Sequence, residues 1–263
     1  METLIRLSVA VGIFAVMAVC EVFYPRRTQW LGRRLRWPVN LGLAALNMIL
    51  MRFTLGAMAY WLAVNSQQYS FGLLHYWVIP EWLAIALTLV LLDMAIYGQH
   101  ILMHKWPVLW RLHQVHHSDL EFDATTAVRF HPLEIIFSMI YKSAWVTAIG
   151  AHPAAVIIFE ILLNGAATFN HSNIAIPEAM DKQLRWLIIT PDMHRIHHSA
   201  LPAETDSNYG FSISCWDRLF HTYRAEPKKT QTTLTIGLET FRKPSELGFL
   251  ALLLLPFKPL RRR

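Results

Sequence analysis

Nine of the chain's 13 histidines are gathered into four short motifs. His100 and His104 form H-x-x-x-H, and His113, His116 and His117 form H-x-x-H-H. His171 stands alone in F-N-H-S-N, and His194, His197 and His198 repeat H-x-x-H-H. Imidazole is the commonest metal ligand among side chains. Residues three and four apart share a face of a helix, so each multiple motif offers two or three imidazoles from one side. A closed structural zinc site takes four ligands. Nine donors exceed that number and point to two metal ions with four or five ligands each and positions left open. Imidazole suits zinc, copper, iron and nickel, and the spacing alone leaves di-iron and di-zinc both open. His75, His152 and His221 read as ordinary packed histidines, while His131, in R-F-H-P-L-E, is a candidate for the layer behind the ligands.

Other residues are placed to support such a site. Asp93, Tyr97, His100 and His104 follow a 4-3-4 spacing and share one helical stripe. An acidic residue inside an apolar helix is costly without a partner. Asp93 either accepts the free ring N–H of a metal-bound histidine, or pairs structurally with Tyr97 or with another helix, for instance through Arg52. Glu160 and Asn164 form an i, i+4 pair that lines a substrate path or pairs structurally. The second triplet has a helix start of its own: Thr190 as N-cap, Pro191 in the first position and Asp192 in the first turn.

The elements that hold these residues are those of a membrane protein. Of 263 residues, 54% are apolar and 16% charged, a balance outside the soluble range. The length suits one domain. Apolar runs at 4–24, 39–64, 82–102, 132–150 and 153–169 each approach the roughly 20 residues that cross a bilayer. The first reads as a retained span rather than a removed leader. The last two form a tight hairpin that either spans or dips and returns. Arg26, Arg27, Arg33, Arg34 and Arg36 surround the first loop and mark it as cytoplasmic, whereas residues 65–81 carry no Lys or Arg. Counting crossings places all nine histidines at the cytoplasmic face. Residues 247–257 read as an interfacial segment followed by Arg261, Arg262 and Arg263.

The expected fold is therefore an all-α integral membrane protein. About four to five transmembrane or membrane-dipping helices carry a cytoplasmic histidine-rich helical cap that holds a dimetal site. Residues 1–263 form a single membrane domain: an N-terminal helical hairpin and loops at 1–81, a histidine-motif core at 82–223 and a cytoplasmic or interfacial tail at 224–263. The net charge of +6 sits beside apolar segments, which suits juxtamembrane anchoring and argues against nucleic acid. Cys20 and Cys215 imply no disulfide framework.

The motif order resembles the fatty acid hydroxylase/sterol desaturase superfamily of integral-membrane di-iron oxygenases. Further matches are D-x-x-x-Y-x-x-H at Asp93–Tyr97–His100, R-F-H-P-L-E at 129–134, N-Y-G at 208–210 and W-D-R-L at 216–219. The resemblance covers roughly residues 92–223. It implies two iron ions (zinc as a possible substitute) held by His100, His104, His113, His116, His117, His171, His194, His197 and His198. Asp93 and Tyr97 would stand behind these ligands. The implied reaction is hydroxylation or desaturation of a lipid C–H bond with dioxygen and external electrons. Two positions depart from the family: Ile101 stands where many relatives have Arg, and Ala167 where some have a tenth histidine. Water, Asn170 or His131 would then complete the ligand count of one metal.

No G-x-G-x-x-G is present, so electrons would come from a separate ferredoxin, cytochrome or flavin reductase. Lys105, Arg111, Lys182, Arg185 and Arg195 would either dock that carrier or face lipid. The expected location is the bacterial inner membrane or the endoplasmic reticulum, with the site on the cytoplasmic side. A histidine-rich metal transporter and a zinc-dependent hydrolase or lyase are the alternatives, although a transporter should hold its ligands near the bilayer midplane.

Overall fold

A segment that crosses a bilayer must satisfy its own backbone, and the apolar runs accordingly fold as helices. The computed structural model describes residues 2–258; Arg261, Arg262 and Arg263 lie outside them. In chain order the helices are α1 (Glu2–Phe23), α2 (Arg33–Phe53), α3 (Met58–Gln68), α4 (Glu81–Lys105), α5 (Pro107–His117) and α6 (Pro132–Ile149). They continue with α7 (Pro153–Asn170), α8 (Glu178–Leu184), α9 (Pro191–His197), α10 (Pro202–Thr205), α11 (Cys215–Leu219) and α12 (Phe249–Leu254). Among the described residues there are no strands, only isolated bridges such as Ile188–Ile213.

Among the described residues four stretches are long and apolar enough to cross a membrane: Arg6–Phe23, Arg33–Tyr76, Glu81–Lys105 and Pro153–Asn170. This differs from the five expected runs in two respects. Helix α6 is not among the four, because Glu134, Ser138, Lys142 and Ser143 interrupt its apolar sequence. The second run is also not one helix. Its chain turns at Thr54–Ala57, where Gly56 N donates to Met51 O at 2.8 Å. A Cβ on Gly56 would stand 2.7 Å from that oxygen, so the turn closes because residue 56 has no side chain.

One end of the bundle is apolar. Ala59, Ala63, Leu92, Ile96, Val146, Ile149, Val156 and Phe159 form its core. The α6–α7 turn closes it with Gly150 at φ +71°, packed so tightly that a Cβ on Gly72 would lie 2.3 Å from Gly150 Cα. Glu160 is paired from both sides by Lys142 and Arg6, and Asn164 donates to Glu160 O at 2.7 Å. Of the two readings for Glu160 and Asn164, these contacts are the structural one.

The other end is polar and equally buried. The arginine loop and the histidine motifs meet there: Arg36 pairs with Asp119 and Asp123 at 2.7 and 2.5 Å, and Arg26 pairs with Asp192 at 2.8 Å. Trp106, extended because it precedes a proline, ends α4 and lets Pro107 start α5, which folds back over the end of α4. The segment from Leu247 onward buries Leu252 and Leu255 against Leu31, Leu43 and Val115 while Leu250, Leu254 and Phe257 stay exposed. That is the two-faced pattern of an interfacial segment.

Candidate metal centre

All nine motif histidines are buried and fall into two groups. His100, His104, His113, His117 and His197 form one, and His116, His171, His194 and His198 form the other. Within each group every residue offers a ring nitrogen, and these atoms lie within 4.8 Å of one another. The groups are adjacent, since the rings of His117 and His198 stack with centroids 4.4 Å apart.

The division does not follow the motifs. Each H-x-x-H-H sends its i, i+4 pair to one group and its middle histidine to the other. His113 and His117 go with His100 and His104, while His116 crosses over; His194 and His198 go with His171, while His197 crosses over. At 3.6 residues per turn, the i+3 and i+4 positions stand about 100° apart on either side of residue i. Two ions side by side against the helix would divide the triplet in this way. The three imidazoles of a triplet do not converge on one point, as a single shared face would have it.

The donor set fits metal ions. His171 Nε2 lies 3.1 Å from both His116 Nε2 and His194 Nε2. His171 Nδ1 donates to Ala167 O at 2.7 Å, which leaves its Nε2 as a lone pair. Nitrogens bound to one ion at about 2.1 Å stand about 3 Å apart when they are neighbours in its shell. Burial, reinforced by repulsion between the rings, pushes His116, His117, His194, His197 and His198 well below the ordinary imidazole range. Burial takes His171 down to about 3. These rings are therefore neutral, the form in which imidazole ligates.

The outward ring nitrogens show what orients the ligands. His100 Nδ1 donates to Tyr209 O and His197 Nδ1 to Ser207 O, both at 2.7 Å. His113 Nδ1 is 2.6 Å from Glu134 Oε1, and His104 Nδ1 is 3.4 Å from Asp206 Oδ1. The Nε2 atoms of His100, His117, His197 and His198 are buried without a hydrogen-bond partner. A carboxylate behind a ligating histidine was expected at Asp93. The structure puts Glu134 there instead, from the α6 end of R-F-H-P-L-E. Asp93 Oδ2 accepts from Trp216 Nε1 at 2.8 Å and Ile213 N at 3.3 Å. Its partners are thus on α11 and in the segment just before it, and neither a histidine nor Arg52 is among them. Tyr97, one turn from His100, bonds Thr222 Oγ1 at 2.8 Å and stacks on Phe220. Asp93 and Tyr97 position the 208–222 loop, and the loop in turn orients His100 through Tyr209 O.

Other expectations also shift. His131 caps α6, accepting from Leu133 N, and reaches Leu253 O, so it serves the fold and not the centre. Asn170 is buried beside His171 and donates to Phe211 O at 2.9 Å. Thr190 caps α9 as expected, accepting from Met193 N at 3.3 Å. The five-cation docking face does not exist as such. Arg195 is fully buried against Asp192, Gln231 and Ser172, and Arg185 is buried on Asp181. Arg111 donates to Pro256 O and Lys258 O, which leaves Lys105 and Lys182 as exposed cations, each paired with a carboxylate.

Sequence reasoning missed the layer beneath the first triplet. Buried Arg129 donates to Val115 O at 3.0 Å, Ser118 Oγ at 3.0 Å and Asn40 Oδ1 at 2.7 Å. Burial alone would raise the Asp119 carboxyl, but Arg36 and Arg129 hold it well below the usual carboxylate range. The signal was present in D-L-E-F-D directly after the histidines, opposite an arginine-rich loop. In N-Y-G, Asn208 bonds Met193 O and Arg224 O, and Asp217 accepts from Tyr209 N and Gly210 N at 2.7 and 2.9 Å. A Cβ on Gly210 would meet Asp217 Oδ2 at 2.8 Å, which accounts for glycine there.

This geometry coincides with a family relationship. The model of the fatty acid hydroxylase family matches residues 85–222, from the second turn of α4 through the last histidine triplet to Thr222. The chain belongs to the fatty acid hydroxylase family. It is similar to alkylglycerol monooxygenase of Xenopus tropicalis, 32% identical over 59% of this chain and 34% of that protein. It is also similar to the ornithine lipid hydroxylase OlsE of Rhizobium tropici, 28% identical over 70% of this chain and 54% of that protein. Cholesterol 25-hydroxylase of Rattus norvegicus is 23% identical over 54% of this chain and 47% of that protein. The chain thus spans about a third to a half of the length of these curated relatives. No solved structure matches it.

Proposed function

We propose that this fatty acid hydroxylase family member is a membrane-bound oxygenase that hydroxylates or desaturates an aliphatic C–H bond of a lipid. The observation that carries the reading is the pair of adjacent, buried, all-histidine groups at one end of four helices able to cross a membrane. His100, His104, His113, His117 and His197 would hold one iron ion, and His116, His171, His194 and His198 the other. When bound, the two ions supply the activation of dioxygen, drawing on electrons from a separate ferredoxin, cytochrome or flavin reductase.

The chain's own part is to hold and enclose. Glu134, Asp206 and the carbonyls of Ser207, Tyr209 and Ala167 fix the ring orientations that the ions require. Phe122, Phe130, Trp110 and Tyr209 wall the imidazoles and keep water from the reacting carbon. The apolar faces of the spans would let a lipid approach from the bilayer. The names of the relatives, each a monooxygenase or hydroxylase of a lipid, support the substrate class. A metal transporter is disfavoured because the ligands gather at helix ends and not at the midplane. The arginine-rich loop that shares their face supports a cytoplasmic site.

The deciding experiment combines metal analysis of the purified protein with oxygen uptake in the presence of lipid extracts. Two irons per chain and lipid-dependent uptake are expected. Zinc with no uptake under any lipid would overturn the oxygenase reading in favour of a hydrolase or lyase.

A further inference from the structure

The cap carries an apolar patch that the histidine centre does not use. Trp186, Leu187, Leu219 and Phe220 are 69%, 71%, 62% and 50% exposed. They come from two segments built into one unit. Ile188 bridges Ile213, Ser214 N donates to Leu187 O at 3.2 Å, and the Arg218 guanidinium lies 4.7 Å over the Trp186 ring. Such a patch on a soluble cap would be a liability unless something covers it.

Its depth along α4 identifies the cover. Phe220 stacks on Tyr97 with ring centroids 5.4 Å apart, and Trp216 Nε1 donates to Asp93. At 1.5 Å per residue, Tyr97 and Asp93 lie about 12 and 18 Å along α4 from Lys105, within a stretch able to cross the membrane. The patch is therefore fastened well inside the end of a spanning helix. Its composition is that of a bilayer interface: aromatic rings and leucines, with Arg218 stacked on Trp186 and on Tyr223 at 4.1 Å. The neighbouring α8 carries the exposed Lys182–Glu178 pair and marks the watery side. Backbone groups at such depth must be satisfied within the protein, and the Ile188–Ile213 bridge with the turns of α11 does this.

We propose that Trp186–Ile188 and Cys215–Phe220 form a wedge inserted into the bilayer beside α4, with lipid acyl chains as its cover. The wedge is tied to the histidine centre through Tyr97 and Trp216, which pack with Tyr209, and the Tyr209 carbonyl accepts from His100 Nδ1 at 2.7 Å. It thus seats the cap in the lipid phase from which the proposed substrate would come, and it rests on the lipid-oxygenase reading only for that last consequence.

The test uses the full chain with Cys20→Ser and Cys215→Ser, carrying a single Leu187→Cys, Leu219→Cys or, as the watery control, Lys182→Cys. Each is labelled with nitrobenzoxadiazole and placed in phosphatidylcholine nanodiscs, and a metal content equal to wild type verifies the fold. Dyes at 187 and 219 are expected to be quenched several-fold more by nitroxide-bearing phosphatidylcholine than by aqueous iodide, with the reverse at 182. Iodide quenching at 187 and 219 equal to that at 182 would overturn the wedge. So would protection that appears only when a soluble protein is added, which would assign the patch to a protein partner. The readout needs no turnover. An inactive protein with buried dyes keeps the wedge and loses the oxygenase; an active protein with wet dyes does the opposite.

Discussion

The two histidine groups are built from the same kind of ligand and differ in how those ligands are held. The five-membered group is braced by side chains and backbone from outside it: Glu134 on His113, Asp206 near His104, and the carbonyls of Tyr209 and Ser207 on His100 and His197. In the four-membered group Ala167 O braces His171, and packing does much of the rest, with Phe130 stacked on His116 and Phe122 on His171. A carboxylate behind an imidazole raises its basicity and fixes its tautomer; an aromatic wall only fixes its place. On the proposed assignment the first group would be the more tightly specified, and the second, with one donor fewer, would leave more room for a reactant.

The largest effects should come from removing ligands. His117→Ala leaves four donors in its group, whereas His198→Ala leaves three. Both are expected to abolish product formation, but metal analysis should show His198→Ala losing its ion outright and His117→Ala keeping part of its own. Equal retention in the two would break the asymmetry. Next comes the buried network beneath the first triplet. Asp119→Ala leaves Asp123 as the one carboxylate facing buried Arg36 and takes the charge partner from buried Arg129, and should destabilise the folded protein by up to ~3–5 kcal/mol, read as a lowered melting temperature. Asp192→Ala removes the carboxylate partner of fully buried Arg195 as well as of the partly exposed Arg26, and should cost a similar amount.

Smaller effects probe the braces. Glu134→Gln should weaken metal retention by roughly ten- to a hundred-fold, whereas Asp93→Asn, bonded to Trp216, should leave metal content unchanged in a chelator challenge. The reverse result would return Asp93 to the metal centre. Last, Ala167→His places an imidazole one turn before His171 and should slow loss of the second ion to chelator by roughly several-fold, since an added ligand strengthens a site. No change would mean that residue 167 does not reach it.

The nine histidines were legible because metal ligation leaves a spacing that chance does not. So were the apolar runs, because the bilayer sets their length. What was not legible depended on contacts between distant segments. Nothing local in D-x-x-x-Y-x-x-H says that Asp93 faces Trp216 and not a histidine. Equally, nothing near Arg195 says that a cation after a histidine is buried on Asp192. The partition of the triplets was hidden for a different reason. Helical spacing states which residues share a side, but whether one ion or two stand against that side is decided by the helices opposite.

That partition has a consequence for how the protein is made. Neither group is complete until α9 has been made. When synthesis has passed α7, His100, His104, His113 and His117 await His197, and His116 and His171 await His194 and His198. Both groups close within the same seven-residue helix α9 and the residue that follows it. On the proposed assignment metal loading would be a late event in the protein's biogenesis, and a chain interrupted before Thr190 would reach the membrane without either group closed.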